Sequence, residues 1–311
     1  MHRDSERDMG ERRSNPNSSV CAIITTFDPD PGLPDLVAEI AQQVRSVYLV
    51  NDSGSRDVRA SLDSAFSGEP GLRVLHMEKN SGVAAALNRG IHEAAAAGFS
   101  KAILLDDDTS VSERIVEDVM LVWGCLEGAG WRPGVIGVSR KDRHSPAFDK
   151  AAEVPRKTWW SVRGVITAGS FIDIRSAIAV GGFREEFFID AVDYEFCERI
   201  RRRGLLVARL SSKLITHSVG HAEARKLFGV RFRSTNHSPL RRYYMYRNNA
   251  VFAKEQLTRD PLLSLAIVWF LVKTALLIAF VETERPRKCK ACLIGLIDGL
   301  RGQKGRAERV L

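Results

Sequence analysis

Lys101-Ala102-Ile103-Leu104-Leu105-Asp106-Asp107-Asp108-Thr109-Ser110 is the stretch on which the fold turns. A continuous apolar run ends abruptly in three adjacent carboxylates. Apolar runs without alternation suit a strand buried on both faces, as in a parallel sheet covered by helices. Three neighbouring negative charges repel one another, and a simple turn needs only Gly, Asn or a single Asp. At the end of a buried strand the triplet offers hard oxygen ligands to a hard divalent cation. A solvated acidic turn would read the same in isolation, so the neighbouring segments decide.

Upstream, residues 20–27 (VCAIITTF) are β-branched and continuously apolar, a first buried strand. Pro29, Pro31, Gly32 and Pro34 turn the chain into a helical pattern over 35–44. Residues 47–50 (VYLV) form a second strand that ends at Asn51-Asp52-Ser53-Gly54-Ser55. A helix over 58–66 leads to a third strand at 72–76, and Lys79-Asn80-Ser81-Gly82 opens an Ala-rich helix reaching about residue 97. The run 102–105 is then the fourth strand. Alternating strands and helices imply right-handed crossovers and a parallel sheet covered on both faces. Ligands of such sheets bind beyond the carboxyl ends of the strands. That rule puts Thr25, Thr26, Asp52, Asn80 and Asp106, Asp107 and Asp108 on one rim. No Walker lysine motif and no GxGxxG follows the first strand, which argues against nucleotide hydrolysis and hydride transfer.

Beyond the triplet, residues 112–127 read as a helix and 134–139 as a strand. Residues 140–155 are polar and suit a substrate-facing loop. An apolar segment at 167–174 is followed by Gly181-Gly182-Phe183, and a helix over 192–203 stops at Gly204, a C-cap residue.

With 311 residues and 44% hydrophobic content, the chain can bury a sizeable core, as one large domain or one domain plus an appendage. The net charge of +8 is concentrated at 199–203, 231–247 and 285–309. Such patches suit nucleic acid, anionic lipid or a phosphorylated substrate. No zinc-finger spacing or RNP-like motif supports nucleic acid. Five irregularly spaced cysteines make no disulfide framework, and Cys289-Lys290-Ala291-Cys292 is a lone CxxC that reads as incidental. The N-terminus has no apolar signal region, so a cytosolic setting is expected, with residues 1–18 a disordered lead.

Taken together, the motifs resemble the inverting GT-A glycosyltransferases of family 2, in particular bacterial rhamnosyltransferases. The resemblance runs over roughly residues 20–305. Asn80-Ser81-Gly82-Val83-Ala84-Ala85-Ala86-Leu87-Asn88-Arg89-Gly90 is similar to that family's N-x-G-x-A-x-A-x-N-x-G helix opening. Leu105-Asp106-Asp107-Asp108 resembles its D-x-D motif. Phe188-Ile189-Asp190-Ala191-Val192-Asp193-Tyr194-Glu195 resembles the acceptor-side motif, whose base falls at Asp193. His217-Ser218-Val219-Gly220 resembles a late metal-binding histidine, and Arg242-Tyr243-Tyr244 through Arg247-Asn248 a further element of the rhamnosyltransferase branch. Ala168 departs from the pattern, because relatives usually carry a small hydroxyl residue there.

The resemblance implies a GT-A, Rossmann-like α/β fold with a mostly parallel sheet flanked by helices. Its halves are a nucleotide-sugar half at 19–110 and an acceptor half at 111–255, followed by an apolar helix and basic tail at 256–311. A divalent metal, Mn²⁺ or Mg²⁺, is expected on Asp106, Asp108 and His217. The donor is expected against Thr25, Asp52, Asn80, Asp106 and Asp107, with Asp107 chiefly supporting the turn and Asp52 facing a pyrimidine N–H. Each has a plainer use. Asp52 could cap the turn at Ser53 and Gly54, Asn80 could be a helix N-cap, and His217 and His221 could be surface residues. Asp190 and Glu195 are expected to pair with Arg199 or Arg202. The expected reaction transfers L-rhamnose from dTDP-L-rhamnose to a surface-polysaccharide or polyprenyl-linked glycan. Galactofuranose transfer from UDP-galactofuranose is the nearest alternative, and a non-catalytic nucleotide- or sugar-binding protein is the alternative of another class.

Residues 262–281 are apolar for long enough to span a bilayer. Lys273 near the middle would cost about 2.5–3.5 kcal/mol there. A single span would also export the basic residues 285, 287, 288, 290, 301, 304, 306 and 309. The expectation is a helix lying on the inner leaflet of the cell membrane, with those residues on anionic headgroups. An oligomer contact or core helix, and a true span, are the other uses.

Overall fold

The computed structural model of the protein describes residues 19–141, 159–217, 223–227 and 230–307. The lead 1–18, nearly all of the polar loop, and Ser218 and His221 lie outside the described residues, as does the side chain of His217.

The first half alternates as its apolar runs dictate. β1 (Val20–Thr26), α1 (Leu33–Ala41), β2 (Val47–Asn51), α2 (Arg56–Ala65), β3 (Leu72–His76), α3 (Val83–Ala96) and β4 (Lys101–Asp106) follow in order. The strands lie parallel as β3-β2-β1-β4. Every residue of β1 and β2 is buried. Successive side chains of a strand point to opposite faces, and both faces here are covered. Cys21 and Ile23 join a core with Leu87 and Ile91 of α3, while Ala22 and Ile24 join another with Leu36 and Ile40 of α1. Burying each such aliphatic side chain contributes about 1.5–3 kcal/mol, and the polar residues of these two strands, Thr25, Thr26 and Asn51, are confined to their carboxyl ends.

The second half is mixed. After the acidic triplet come β5 (Thr109–Val111), α4 (Ile115–Gly128), β6 (Pro133–Lys141), β7 (Trp159–Ser161), β8 (Ser170–Asp173), α5 (Ile174–Ala179), α6 (Val192–Arg202) and β9 (Leu206–His217). The sheet continues from β4 as β8-β6-β9-β5, with β7 on β9. β8 runs antiparallel to both β4 and β6, and β5 antiparallel to β9. Parallel pairing needs a long crossover. β7 leads into β8 without an intervening helix, and the parallel run breaks at β4 and returns between β6 and β9. A hairpin, β10 (Glu223–Leu227) and β11 (Val230–Ser234), stands apart as a two-stranded sheet.

Three helices complete the chain: α7 (Pro239–Gln256), α8 (Pro261–Phe280) and α9 (Arg285–Leu300). They pack onto the rest of the protein. Val251, Phe252, Ala253 and Ile267 belong to the same core as α3 and β4. Where α8 meets α9, the buried Glu282 carboxylate accepts from Arg242 of α7 and, at 2.9 Å, from Lys288 of α9. Lys288 also donates to Asn236 at 2.6 Å. Buried charges persist only when paired and hydrogen-bonded, so this trio ties the three helices together. Lys288 is therefore turned into the protein, not toward a headgroup.

Candidate active site

A cavity of about 1080 Å³ opens at the carboxyl ends of β1, β2 and β4, and is walled on its far side by residues 188–194, α7 and the start of α8. Thr25, Asp52, Asn80, Asp106, Asp107, Asp108 and Asp193 all line it. Strand register explains the gathering: Thr25 lies opposite Asp106, and Thr26 opposite Asn51.

Individual roles are more differentiated than the sequence suggests. The Thr26 hydroxyl donates to Asp107 Oδ2 at 2.5 Å, stitching the end of β4 to the end of β1. Burial, opposed by that hydrogen bond and assisted by the charges of Asp108 and Asp106, pushes the Asp107 carboxyl up to about 6. Asp52 accepts from the Ser81 and Gly82 amides, one on each oxygen, both at 2.7 Å. Burial raises its pKa, opposed by those two amides and by the charge of Arg306. The Ser53 amide donates instead to Asn51, at 2.9 Å, so Asp52 does not cap that turn. It latches the entry to α3. Asn80 is not the N-cap either; Gly82 holds that position at φ +92°, and its amide also reaches Asn80 Oδ1 at 3.2 Å.

Asp193 sits in the first turn of α6, half-buried. The Tyr194 amide donates to its Oδ1 at 2.9 Å. Desolvation outweighs that bond, and with the charges of Asp190 and Asp106 pushes the carboxyl up to about 7. The field of Asp106 reaching Asp193 joins the two halves of the sheet across one space.

Asp193 is positioned by a strained loop. Phe188, Asp190 and Ala191 have φ of 64°, 64° and 63°, all in the left-handed region that non-glycine residues avoid. Such conformations persist where the surroundings over-determine them, and they gather at functional sites. The restraint comes from α7. The buried Asn248 side-chain amide donates to the carbonyls of Phe187, Ile189 and Asp190 at 2.8, 2.7 and 3.0 Å. Arg247 adds bonds to Glu186 and Phe187 at 3.1 and 3.2 Å. The Arg247-Asn248 element, visible in the sequence without a role, is the clamp on this loop. Its signal in the sequence was the resemblance of residues 242–248 to a family element, and the burial of both side chains emerges only in the fold.

Glu195 pairs with Arg199 as expected, at 2.7 Å. Asp190 does not pair with Arg199 or Arg202, because those guanidinium groups are taken by Glu195 and Glu198. It faces Arg241 at 3.4 Å instead.

His217 ends β9 opposite Thr109, the residue after the triplet. Among the described residues no group of three or more His, Cys, Asp and Glu side chains is arranged to hold a metal unaided. The donor set of Asp106 and Asp108 is nonetheless all hard oxygen, which suits Mg²⁺ or Mn²⁺ completed by water and phosphate oxygens.

Known proteins share this architecture. The sequence profile of Glycosyl transferase family 2 matches residues 21–159. The dTDP-rhamnosyl transferase RfbF of Shigella flexneri is 24% identical over 300 residues, 93% of this chain and 98% of that protein. TarS 1-349 of S. aureus in complex with UDP-GlcNAc superposes with a TM-score of 0.59 at 15% identity, over 91% of this chain and 81% of that one. This chain spans about half, 49%, of the longer TarS chain. GalNAc-T7 with UDP, GalNAc and Mn²⁺ superposes at 0.53 and 13% identity, over 75% of this chain and 48% of that one. At such identities the structural likeness establishes a shared fold. Residues 21–159 match the family 2 glycosyltransferase profile, and the chain around them has the mixed α/β, GT-A-like fold that its sequence implied.

Proposed function

We propose that the protein transfers a sugar from a nucleoside diphosphate to a hydroxyl of a glycan acceptor, with inversion at the anomeric carbon. The carrying observation is the pairing of Asp193, a carboxylate shifted to about 7, with the Asp106–Asp108 rim across one cavity. Asp193 removes the acceptor proton as the hydroxyl oxygen bonds to the anomeric carbon. The bond to the diphosphate breaks on the opposite face. A divalent cation, when bound, offsets the charge of the departing diphosphate. Asp106 and Asp108 would hold it, with His217 a further ligand. L-Rhamnose carried on dTDP is the favoured donor, supported by the name of the Shigella relative. A polyprenyl-linked or surface-polysaccharide glycan is the favoured acceptor.

A thermal-shift panel of dTDP-rhamnose, UDP-galactofuranose and UDP-GlcNAc, with and without Mg²⁺ or Mn²⁺, tests the donor. At a hundredfold excess over Kd, the matching donor should raise Tm by about 5 °C. A larger response to UDP-galactofuranose than to dTDP-rhamnose transfers the assignment to that sugar. No response to any nucleotide overturns the reading.

The same proposal places the protein on the inner face of the cell membrane. α8 is long and apolar enough to cross a bilayer. One stripe, Ser264, Ile267, Leu271, Thr274 and Ile278, is buried. Leu262, Leu265, Trp269, Val272, Leu276 and Phe280 form an exposed stripe at helical spacing. Co-sedimentation should increase when phosphatidylcholine vesicles contain about 30% phosphatidylglycerol, and should weaken with salt. Leu265→Asp/Trp269→Asp should abolish it. Concentration-dependent dimerisation without vesicle binding would assign the stripe to an oligomer contact instead.

A further inference from the structure

The tail that follows α9 returns to the donor side of the cavity. Its course is fixed by contacts with three other elements. The Gly305 amide donates to Glu186 O at 2.7 Å, and the Gly305 carbonyl accepts from Arg247 at 2.5 Å. Lys304 pairs with Glu186 at 3.0 Å, and the Ala307 amide donates to the Tyr244 hydroxyl at 2.8 Å. Arg306, held between these anchors, reaches the Asn80 carbonyl at 3.4 Å. Its charge is also felt by Asp52. Asn80 and Asp52 are both cavity-lining residues.

Charge balance gives this placement a purpose. Among the described residues the lining carries eight carboxylates and only two guanidinium groups, Arg163 and Arg241. Both are already engaged, Arg163 with Asp260 at 2.7 Å and Arg241 with Asp190 at 3.4 Å. A nucleoside diphosphate brings further negative charge to this acidic wall, and a cation on Asp106 and Asp108 offsets only part of it. A guanidinium has five N–H donors in a fork that fits phosphate oxygens. Arg306 is exposed and, among the described residues, spends a single long bond on a backbone carbonyl. It stands beside the N-terminus of α3, whose positive pole also favours anions.

We infer that residues 304–307 are part of the donor site, and that Arg306 binds the phosphates of the nucleotide. The inference rests on reading the cavity as a nucleotide-sugar site. It gives the tail's basic residues a use other than the membrane contact expected from their charge.

Titration calorimetry in Mg²⁺ with dTDP, UDP and the corresponding nucleosides separates the possibilities. Arg306→Ala should weaken diphosphate binding about tenfold, the scale of one charge-assisted contact. Arg306→Lys should recover part of that loss. Nucleoside affinity and Tm should stay at wild-type values, since the side chain is exposed. Equal diphosphate affinity in wild type and Arg306→Ala overturns the tail's role and leaves the site's assignment standing. Equal loss for nucleoside and diphosphate also overturns it, because Arg306 would then act only by shaping the pocket. Failure of the wild type to bind either diphosphate overturns the reading of the cavity itself.

Discussion

Asp193→Asn is expected to reduce sugar transfer by about a hundred- to ten-thousand-fold, the usual contribution of a positioned general base. The amide keeps the size of the side chain but accepts no proton from the acceptor. Nucleotide binding should survive, because the rim proposed for the donor is built from β1, β2, β4 and the entry to α3. Only the carboxylate form is competent, and its pKa is pushed up to about 7. Wild-type kcat/KM should therefore rise with pH through about 7, and the residual activity of the variant should lack that limb. Stability responds in the opposite direction. Burial raises the folded-state pKa above the unfolded value of about 3.9, so the folded protein holds this proton more tightly. The resulting stabilisation is complete below the unfolded value and is lost as pH rises through about 7. Thermal unfolding of the two proteins should coincide near pH 4, with Asp193→Asn the more stable above pH 7. Unchanged transfer by the variant would remove Asp193 from the mechanism. Intact biological function without transfer would favour a non-catalytic nucleotide-binding role.

Gly82→Ala should cost about 2–6 kcal/mol, combining backbone strain with overpacking. At φ +92° and ψ 157°, Gly82 occupies a region essentially closed to side chains. A Cβ there would lie 2.5 Å from the Phe188 carbonyl oxygen and 2.7 Å from its Cα. Those atoms belong to the strained loop that α7 clamps, so they cannot simply move aside. The loss is a large share of the roughly 5–15 kcal/mol that holds a typical domain folded. Gly98→Ala serves as the control, since Gly98 has φ +84° but nothing within 4 Å of the added carbon. Denaturant unfolding should place Gly82→Ala well below Gly98→Ala. Equal midpoints would mean that the contact with Phe188 carries no weight.

What the sequence made legible followed from burial. β3 falls on residues 72–76 as read, and β1 ends one residue earlier than read. Strands buried on both faces leave no freedom in residue choice, and their apolar runs announce them. The rim carboxylates were legible for the same reason, as polar residues stopping those runs. The loop at 188–191 was not. Its backbone conformations run against local preference and are imposed by Asn248, some sixty residues away. Nothing within the loop encodes that restraint. Charge runs were the other blind spot. Lys288, Lys304 and Arg306 look like solvated basic residues in one dimension, yet each faces a partner inside the molecule. Asn80 illustrates a smaller ambiguity. The N-cap lies two residues on, at Gly82, whose amide is shared between the Asp52 carboxylate of a neighbouring strand end and Asn80.

The clamp on residues 186–191 bears on how the protein is made. Arg247 and Asn248 lie about sixty positions downstream of that loop, and the Gly305 contact with Glu186 lies more than a hundred downstream. Contacts so distant in sequence form late, after their loop-closure entropy has been met. On a ribosome, β1 through β4 can pair while the loop's restraints are still inside the exit tunnel. The nascent chain would then hold a finished donor rim opposite an unpositioned Asp193. The loop would reach its final conformation only once residues 304–307 have closed onto Glu186 and Tyr244.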